Sequence, residues 1–296
     1  MNLKNLSTIF ALIFVATLVA QEDNIIRVKD PDSIGIKTAA QIALDNDHPL
    51  EYGYVGERDV LWGKTTWEKI DLDERVNFPL YYPIDTNNIG ASRRSLYDVI
   101  LSNVKSGKIK NIYSDSYFTE KRTLKDIQSS LARVDTTDLG IEQLNAGEAV
   151  DAQYIDRRDI GSADIAEFHI RGYWYFDKRQ GELRYRLIGL APVAPDVNFI
   201  DDDEPDMVPL FWIWYPDARE VLHQAKAFNR LNTATPISYD HLLNSRRFSG
   251  VIFREDNIQG DRAVDEYIND NALMQLLESD RIKESIRNFE QDMWNY

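Results

Sequence analysis

Apolar residues recur at every second position in two neighbouring stretches, residues 164–177 and 182–191, which are joined by Lys178-Arg-Gln-Gly181. A period of two is typical of strands with one buried face, and a short connection that contains glycine is typical of a hairpin. The sequence therefore predicts an antiparallel hairpin with one apolar face and one mixed face. The apolar face carries Phe168, Ile170, Trp174 and Phe176, and the mixed face carries Glu167, His169, Arg171, Tyr173 and Tyr175.

Spacings of three and four residues predict helices elsewhere in the chain. One apolar stripe comprises Leu96, Val99, Ile100 and Val104, with Ser92 or Ser95 as its N-cap and Gly107 as its end. A second helix is predicted to start at an Asp217 cap, and its stripe comprises Val221, Leu222, Ala225, Phe228 and Leu231. A terminal helix is predicted from about Ala272, and its stripe comprises Ile282, Ile286, Phe289 and Met293.

Three other stretches carry weaker patterns. The apolar run Leu210-Phe-Trp-Ile-Trp-Tyr215 predicts a strand that is buried on both faces, and residues 239–253 predict a short helix and a strand. Residues 59–72 are ambiguous, because both alternation and a spacing of four occur there, and we interpret them as a helix. Pro79 and Pro83 predict an extended segment between them.

These elements together predict an α+β protein with a small antiparallel sheet, whose central hairpin packs against several helices behind an irregular N-terminal arm. The polar stretch at residues 119–163 is the predicted boundary between two parts of the fold. The predicted order is a signal peptide (1–20), an irregular arm (21–54), an N-terminal α+β part (55–118), a polar connector (119–163) and a C-terminal α+β part containing the hairpin and the terminal helix (164–296).

The N-terminus has the pattern of a secretory signal peptide. Lys4 is followed by an apolar run at residues 9–19 and then by Ala20-Gln21. This run is shorter than the roughly 20 residues that span a bilayer, so we expect cleavage and export of a soluble mature chain. An uncleaved single-pass anchor is the alternative.

Charge and composition exclude several functional classes. The chain of 296 residues has 34 basic and 49 acidic side chains, a net charge of −15 that argues against a nucleic-acid-binding surface. The absence of cysteine excludes disulfides, thiolate zinc sites and lipoprotein acylation.

The motifs of common catalytic and binding sites are incomplete in this sequence. Gly63-Lys64-Thr65 ends like a phosphate-binding loop, but Arg58 stands where that loop needs its first glycine. The four histidines are too scattered for a zinc pair, and the acidic run Asp201-Asp-Asp-Glu204 is followed by Pro205 instead of a calcium-loop pattern. The sequence also lacks a Gly-x-Ser-x-Gly elbow. We therefore predict a protein that is not an enzyme and has no catalytic, cofactor-binding or metal-binding residues.

Several segments, in the same order along the chain, resemble the GldN family of gliding motility proteins, called PorN in non-gliding relatives. Specific segments are Gly172-Tyr-Trp-Tyr-Phe-Asp-Lys178, Phe211-Trp-Ile-Trp-Tyr-Pro216 and Arg246-Arg-Phe-Ser-Gly-Val-Ile-Phe253. Residues 59–83, Leu187-Ile-Gly-Leu-Ala-Pro192, Phe228-Asn229 and the closing helix through Trp294 extend the resemblance, which covers roughly residue 51 to the C-terminus.

The resemblance implies a structural subunit of the type IX secretion and gliding motility machinery of Bacteroidetes. It implies that the protein is periplasmic and assembles into a ring with a GldK-like (PorK-like) outer-membrane lipoprotein. It also implies a contact with the periplasmic part of a GldM-like (PorM-like) motor protein. A lipoprotein partner would account for association with the outer membrane, since this chain lacks a lipidated cysteine.

The mixed face of the hairpin is the candidate partner-binding surface. Tyrosine and arginine are frequent in interface cores, and Arg171, Tyr173 and Tyr175 are predicted to lie opposite Arg184 and Arg186. Packing within the chain is the alternative explanation of these residues. An alternative function is a periplasmic glycan or cell-wall binder that uses exposed residues among its 6 Trp and 15 Tyr.

Overall fold

The computed structural model describes residues 47–85, 93–147, 149, 151–199, 205–229, 236–269 and 271–294. The chain divides into two units, Met1–Leu50 and Glu51–Tyr296. The predicted signal peptide, most of the predicted arm and the acidic run at 201–204 lie outside the described residues.

The larger unit is built on a seven-stranded antiparallel sheet. Its strands are β1 (Val60–Asp71), β2 (Ile112–Tyr113), β5 (Glu167–Asp177), β6 (Glu182–Pro195), β7 (Met207–Pro209), β8 (Trp212–Trp214) and β11 (Val251–Glu255). They lie in the order β11-β1-β5-β6-β8-β2, and β7 pairs with β6 beside β8. Two smaller ribbons pair β3 (Ala132–Thr136) with β4 (Ile155–Asp159), and β9 (Lys226–Ala227) with β10 (Ile237–Ser238).

Helices pack around the sheet, which confirms the predicted α+β class. The described helices are α1 (Phe78–Tyr81), α2 (Leu96–Lys105), α3 (Leu124–Leu131), α4 (Asp138–Asn145), α5 (Tyr215–Gln224), α6 (Tyr239–Asn244), α7 (Val264–Tyr267) and α8 (Ala272–Trp294).

The predicted hairpin is confirmed as β5 and β6, two long strands in the middle of the sheet. Phe168, Ile170 and Phe176 are buried on its apolar face, as the alternation indicated. A register shift between Arg171 and Gly172 bends the pairing without exchanging the two faces of β5.

The interpretation of residues 59–72 as a helix is wrong, because these residues form β1. A spacing of four, from Trp62 to Thr66 to Ile70, is also a multiple of two and fits one face of a strand equally well. β1 pairs with β5 on one side and β11 on the other, so partners more than 100 residues away satisfy its backbone groups. The local pattern could not reveal these partners.

The predicted extended segment between the two prolines is also wrong over most of its length. Pro79 lies in the first turn of α1, where a missing N–H removes no helical hydrogen bond. Only Tyr82, directly before Pro83, is extended. The buried Asn77 side chain donates to the Asp71 and Ser249 carbonyl oxygens, at 2.6 and 3.0 Å, and so ties α1 to the sheet.

The stripe and cap predicted for α2 are confirmed. Ser95 Oγ accepts a hydrogen bond from the Asp98 backbone N–H, and all four residues of the stripe are buried. Gly107 follows the helix with a φ of +73°, the left-handed geometry that favours glycine after a helix end.

The prediction for α5 is wrong at both ends. The helix begins at Tyr215, and Asp217 does not cap it. It ends at Gln224, so Phe228 lies beyond it and is 45% exposed, whereas Leu231 lies outside the described residues. Val221 and Leu222 are buried as predicted.

The terminal helix is confirmed as α8, which covers the sheet near the edge strand β11. Ile282 and Ile286 are buried with Ile252 and Val264, and Trp62 packs against this cluster. The Ile252 backbone N–H donates to the buried Ser279 Oγ at 2.8 Å, so one donor of the edge strand is paired by the helix.

Candidate functional site

The pairing of β5 with β6 brings the nominated surface residues together. Tyr173 lies opposite Arg186 and Tyr175 lies opposite Arg184, as predicted, whereas Arg171 lies opposite Gly189. The two tyrosine rings are stacked, with their centroids 6.0 Å apart. Tyr175 is only 6% exposed, so this part of the mixed face is covered within the chain.

Tyr173 is also held by its neighbour strand. Its ring lies over Gly63 of β1, where a Cβ would overlap the tyrosine. The Tyr185 ring lies over Gly172 on the opposite face of the sheet in the same way. Glycine in these strands allows close approach of an aromatic ring to the backbone.

Arg171 is packed inside an aromatic cluster. Its guanidinium carbon lies 5.1 Å from the Trp67 ring centroid, 5.2 Å from that of Tyr117 and 5.7 Å from that of Phe118. Its Nη1 donates to the Ser116 carbonyl at 2.7 Å, and burial lowers the pKa of this guanidinium from its usual value. Arg171 therefore anchors the loop at residues 115–118 to the sheet.

Arg186 is covered by the beginning of the larger unit. Its guanidinium carbon lies 4.6 Å from the Tyr52 ring centroid, and its Nη2 donates to the Gly53 carbonyl at 3.4 Å. The same Tyr52 ring lies 4.1 Å from the guanidinium carbon of Arg219. Burial raises the pKa of the Tyr52 hydroxyl, against the opposing effect of Arg219.

A polar cluster that the sequence did not reveal surrounds Asp240. This carboxylate is 3% exposed and accepts hydrogen bonds from Tyr215 Oη at 2.9 Å and Asn244 Nδ2 at 2.8 Å. Arg219 donates to both of its oxygens, from Nε at 3.0 Å and Nη2 at 3.2 Å. Both oxygens are thus engaged within the chain, an arrangement typical of a structural ion pair.

A second such pair joins Glu68 of β1 to Arg246. Glu68 is fully buried, and the distance from its Oε2 to Arg246 Nη2 is 2.6 Å. The guanidinium carbon lies 4.3 Å from the Tyr185 ring centroid and 5.0 Å from that of Trp174. Glu68 and Ile70 lie on the same face of β1. If residues 59–72 had been interpreted as a strand, a charged residue on its apolar face would have indicated a buried partner.

The motifs and histidines that were considered for binding or catalysis lie in elements that stabilise the fold. Gly63-Lys64-Thr65 lies inside β1 instead of at a helix N-terminus, and Lys64 pairs with Glu255 at 2.6 Å. His169 Nε2 lies 3.2 Å from Glu167 Oε2, and its ring packs against Phe253. In the part of the chain that the structure describes, the acidic and histidine side chains form no group that could hold a metal ion.

The tryptophans give little area for stacking on a sugar. Trp67 and Trp212 are buried, Trp62, Trp174 and Trp214 are half-buried, and Trp294, 72% exposed, lies at the end of α8. No helix among the described residues is long and apolar enough to cross a membrane.

The structure is that of an α+β protein. Its buried ion pairs and aromatic clusters stabilise the fold. The model of one family, gliding motility associated protein GldN, matches residues 55–295. The chain therefore belongs to the GldN family and is associated with gliding motility, which confirms the resemblance. This family is not known as one of enzymes. A comparison with curated proteins gave no match.

Proposed function

We propose that this protein is a non-enzymatic structural subunit of the type IX secretion and gliding motility machinery. The observation that carries the proposal is the GldN family match, which runs through nearly all of the larger unit. The pairing of two buried carboxylates within the chain also supports the proposal. The Asp240 and Glu68 carboxylates are both paired with arginines inside the chain, so both buried charges are used within the fold.

The proposed location is the periplasm, at the inner side of the outer membrane. The support is the N-terminal sequence, in which a lysine precedes the apolar run at residues 9–19. A GldK-like lipoprotein would hold the protein at the outer membrane, and a GldM-like motor protein would contact it from the inner membrane. Self-association would place several copies in one ring.

The proposed partner contact is the mixed face of the hairpin. Its residues are Arg171, Tyr173, Tyr175, Arg184 and Arg186. Arg184 has a side chain that is 34% exposed, whereas Tyr175 is almost fully covered. A partner that docks on this face would therefore contact Arg184 and the rim of the tyrosine pair, in line with the frequency of both residue types at interfaces.

Tagged protein purified from membranes of the host bacterium tests this proposal. We expect the GldK-like lipoprotein and the GldM-like protein to co-purify with it, and we expect deletion of its gene to abolish gliding and secretion. A tagged periplasmic protein of similar charge is the control for non-specific capture. Recovery of the protein alone from the cytoplasm, or a deletion strain that still glides and secretes, would contradict the proposal.

A further inference from the structure

A groove of about 690 Å³ lies between α2, α3 and the ribbon of β3 and β4. Its apolar lining comprises Leu101, Leu131, Ala132, Val134 and Ile160. Val134 is 57% exposed, although it faces the groove from a strand. Exposed apolar area of this kind, when rimmed by polar groups, marks interaction sites.

The charged lining of the groove is mainly positive, in contrast to the chain as a whole. Lys105, Lys125 and Arg157 line it together with one acid, Asp159. Arg157 pairs with Asp159 at 3.0 Å, while Lys105 and Lys125 have no carboxylate within ion-pair distance among the described residues. Two lysine charges are thus available at the rim of an apolar floor, on a protein with a net charge of −15.

The same sequence contains a segment with the complementary chemistry. Phe199 and Ile200 are followed directly by Asp201-Asp-Asp-Glu204, so an apolar pair precedes four acids. Phe199 is 57% exposed. An apolar pair suits the floor of the groove and an acidic run suits the two lysines, because opposite charges across an interface favour encounter and register.

The geometry favours the groove of another copy over the groove of the same copy. The Asn198 carbonyl accepts a hydrogen bond from Arg133 Nη1 at 3.0 Å, and Arg133 pairs with Asp135 on one face of β3. Ala132 and Val134, which line the groove, alternate with them and lie on the other face. The acidic segment therefore follows a residue that is held on the face of the ribbon away from the groove.

We propose that residues 199–204 of one copy dock into this groove of a second copy. The contact joins two different surfaces, so it is head-to-tail, and repeated contacts of that kind close into rings or extend into filaments. The inference rests on the proposed function, since it names a self-contact of the proposed ring subunit.

Sedimentation of the purified full chain over a range of concentrations tests the proposal. We expect self-association that weakens with added salt, and a loss of at least about tenfold in affinity for Lys105→Glu with Lys125→Glu. Asp201→Lys with Asp203→Lys should weaken it similarly, and mixing the two variants should restore binding, because the reversed groove then meets the reversed segment. Arg58→Glu with Lys178→Glu, at exposed positions just before β1 and just after β5, changes the net charge equally and should leave association unchanged.

A labelled peptide of residues 197–206 provides a measurement that needs no variant of the groove. We expect it to bind the wild-type chain more tightly than a scrambled peptide of the same composition, as measured by fluorescence anisotropy. Equal binding of the two peptides, a chain that stays monomeric at all concentrations, or groove reversals that act no more than the control would overturn the proposal. If gene deletion still abolishes gliding, those results reject only the groove, whereas a deletion without effect rejects the proposed function.

Discussion

Two helices of similar length, α2 and α4, differ in what their apolar residues do. In α2, Leu96, Ile100 and Val104 are almost completely buried. In α4, which follows β3, the large apolar residues Leu139, Ile141 and Leu144 are 44–63% exposed, and the one buried residue is Gly140. Burial accounts for the apolar residues of α2, whereas those of α4 stabilise the isolated chain little.

The same contrast separates the main sheet from the ribbon of β3 and β4. Strands β5 and β6 bury residues over most of their length, whereas every residue of β4 is exposed. Packing within the chain therefore accounts for the apolar residues of the main sheet. Among the described residues of the segment at residues 132–159, several large apolar side chains are exposed, namely Val134, Leu139, Ile141, Leu144 and Ile155. Exposed apolar residues grouped in this way are expected of a surface that meets another protein.

The largest loss of stability is expected for Ile286→Asp, in a helix that packs on the main sheet. This side chain is 3% exposed in the cluster beneath α8, and an unpaired carboxylate there should cost about 4 kcal/mol of unfolding free energy. Urea unfolding measures it. Leu273→Asp on the same helix, at a position that is 66% exposed, is the control and should change stability by less than about 0.5 kcal/mol. Equal stability of both variants would show that α8 is not packed on the sheet.

Arg246→Leu should have the next largest effect. It leaves the fully buried Glu68 carboxylate without its cation, at a cost of about 3 kcal/mol. Arg281→Leu breaks a surface pair with Glu278 and should cost less than about 1 kcal/mol. Adding Glu68→Gln to Arg246→Leu should recover part of the loss. A loss that is no greater than that of Arg281→Leu would mean that the pair contributes no more than a surface contact.

Changing Tyr173 and Tyr175 together to Ser distinguishes the two explanations of the mixed face. Because Tyr175 is buried and Tyr173 packs over Gly63, we expect the monomer to lose about 2–3 kcal/mol of stability. Circular dichroism on heating, with size analysis of the complex, measures both effects. A double variant that folds normally but assembles poorly would instead favour the partner contact, and one that does both normally would contradict each explanation.

A smaller effect on the same face depends on pH. The hydrogen bond from His169, with a contribution from the Lys69 charge, holds the pKa of the Glu167 carboxyl below its usual value despite burial. Since the folded pKa is lowered, this stabilisation is present above the unfolded pKa of about 4.3 and is lost as the pH falls through the folded pKa. The difference in unfolding free energy between wild type and Glu167→Gln should therefore shrink from pH 6 towards pH 3. A difference independent of pH would refute this coupling.

The smallest effect is expected in the segment at residues 132–159. Leu144→Ser in α4 should change the unfolding free energy by less than about 0.5 kcal/mol, because this residue is 63% exposed. Ile100→Ser is the matched change in the buried helix α2 and should lower the unfolding free energy by more than about 3 kcal/mol. Similar losses for the two variants would remove the contrast between these helices.

The sequence alone determined the elements whose stabilising contacts are local or strictly periodic. The β5 and β6 hairpin follows from alternation around a short turn, and the start of α2 follows from the Ser95 cap. The opposition of Tyr173 to Arg186 follows from the same hairpin, because a turn fixes the register of its two strands. The family was also recognisable from segments that keep their order along the chain.

Only the tertiary structure decided the identity of β1 and the contacts between side chains that are distant in sequence. A spacing of four residues fits either a helix or a strand, and backbone pairing with β5 and β11 selected the strand. Glu68 meets Arg246 across 178 residues of sequence, and Tyr52 meets Asn244 across 192. Such partners leave no periodic trace in the sequence, because the free energy that selects them comes from contacts made after the distant segments have come together.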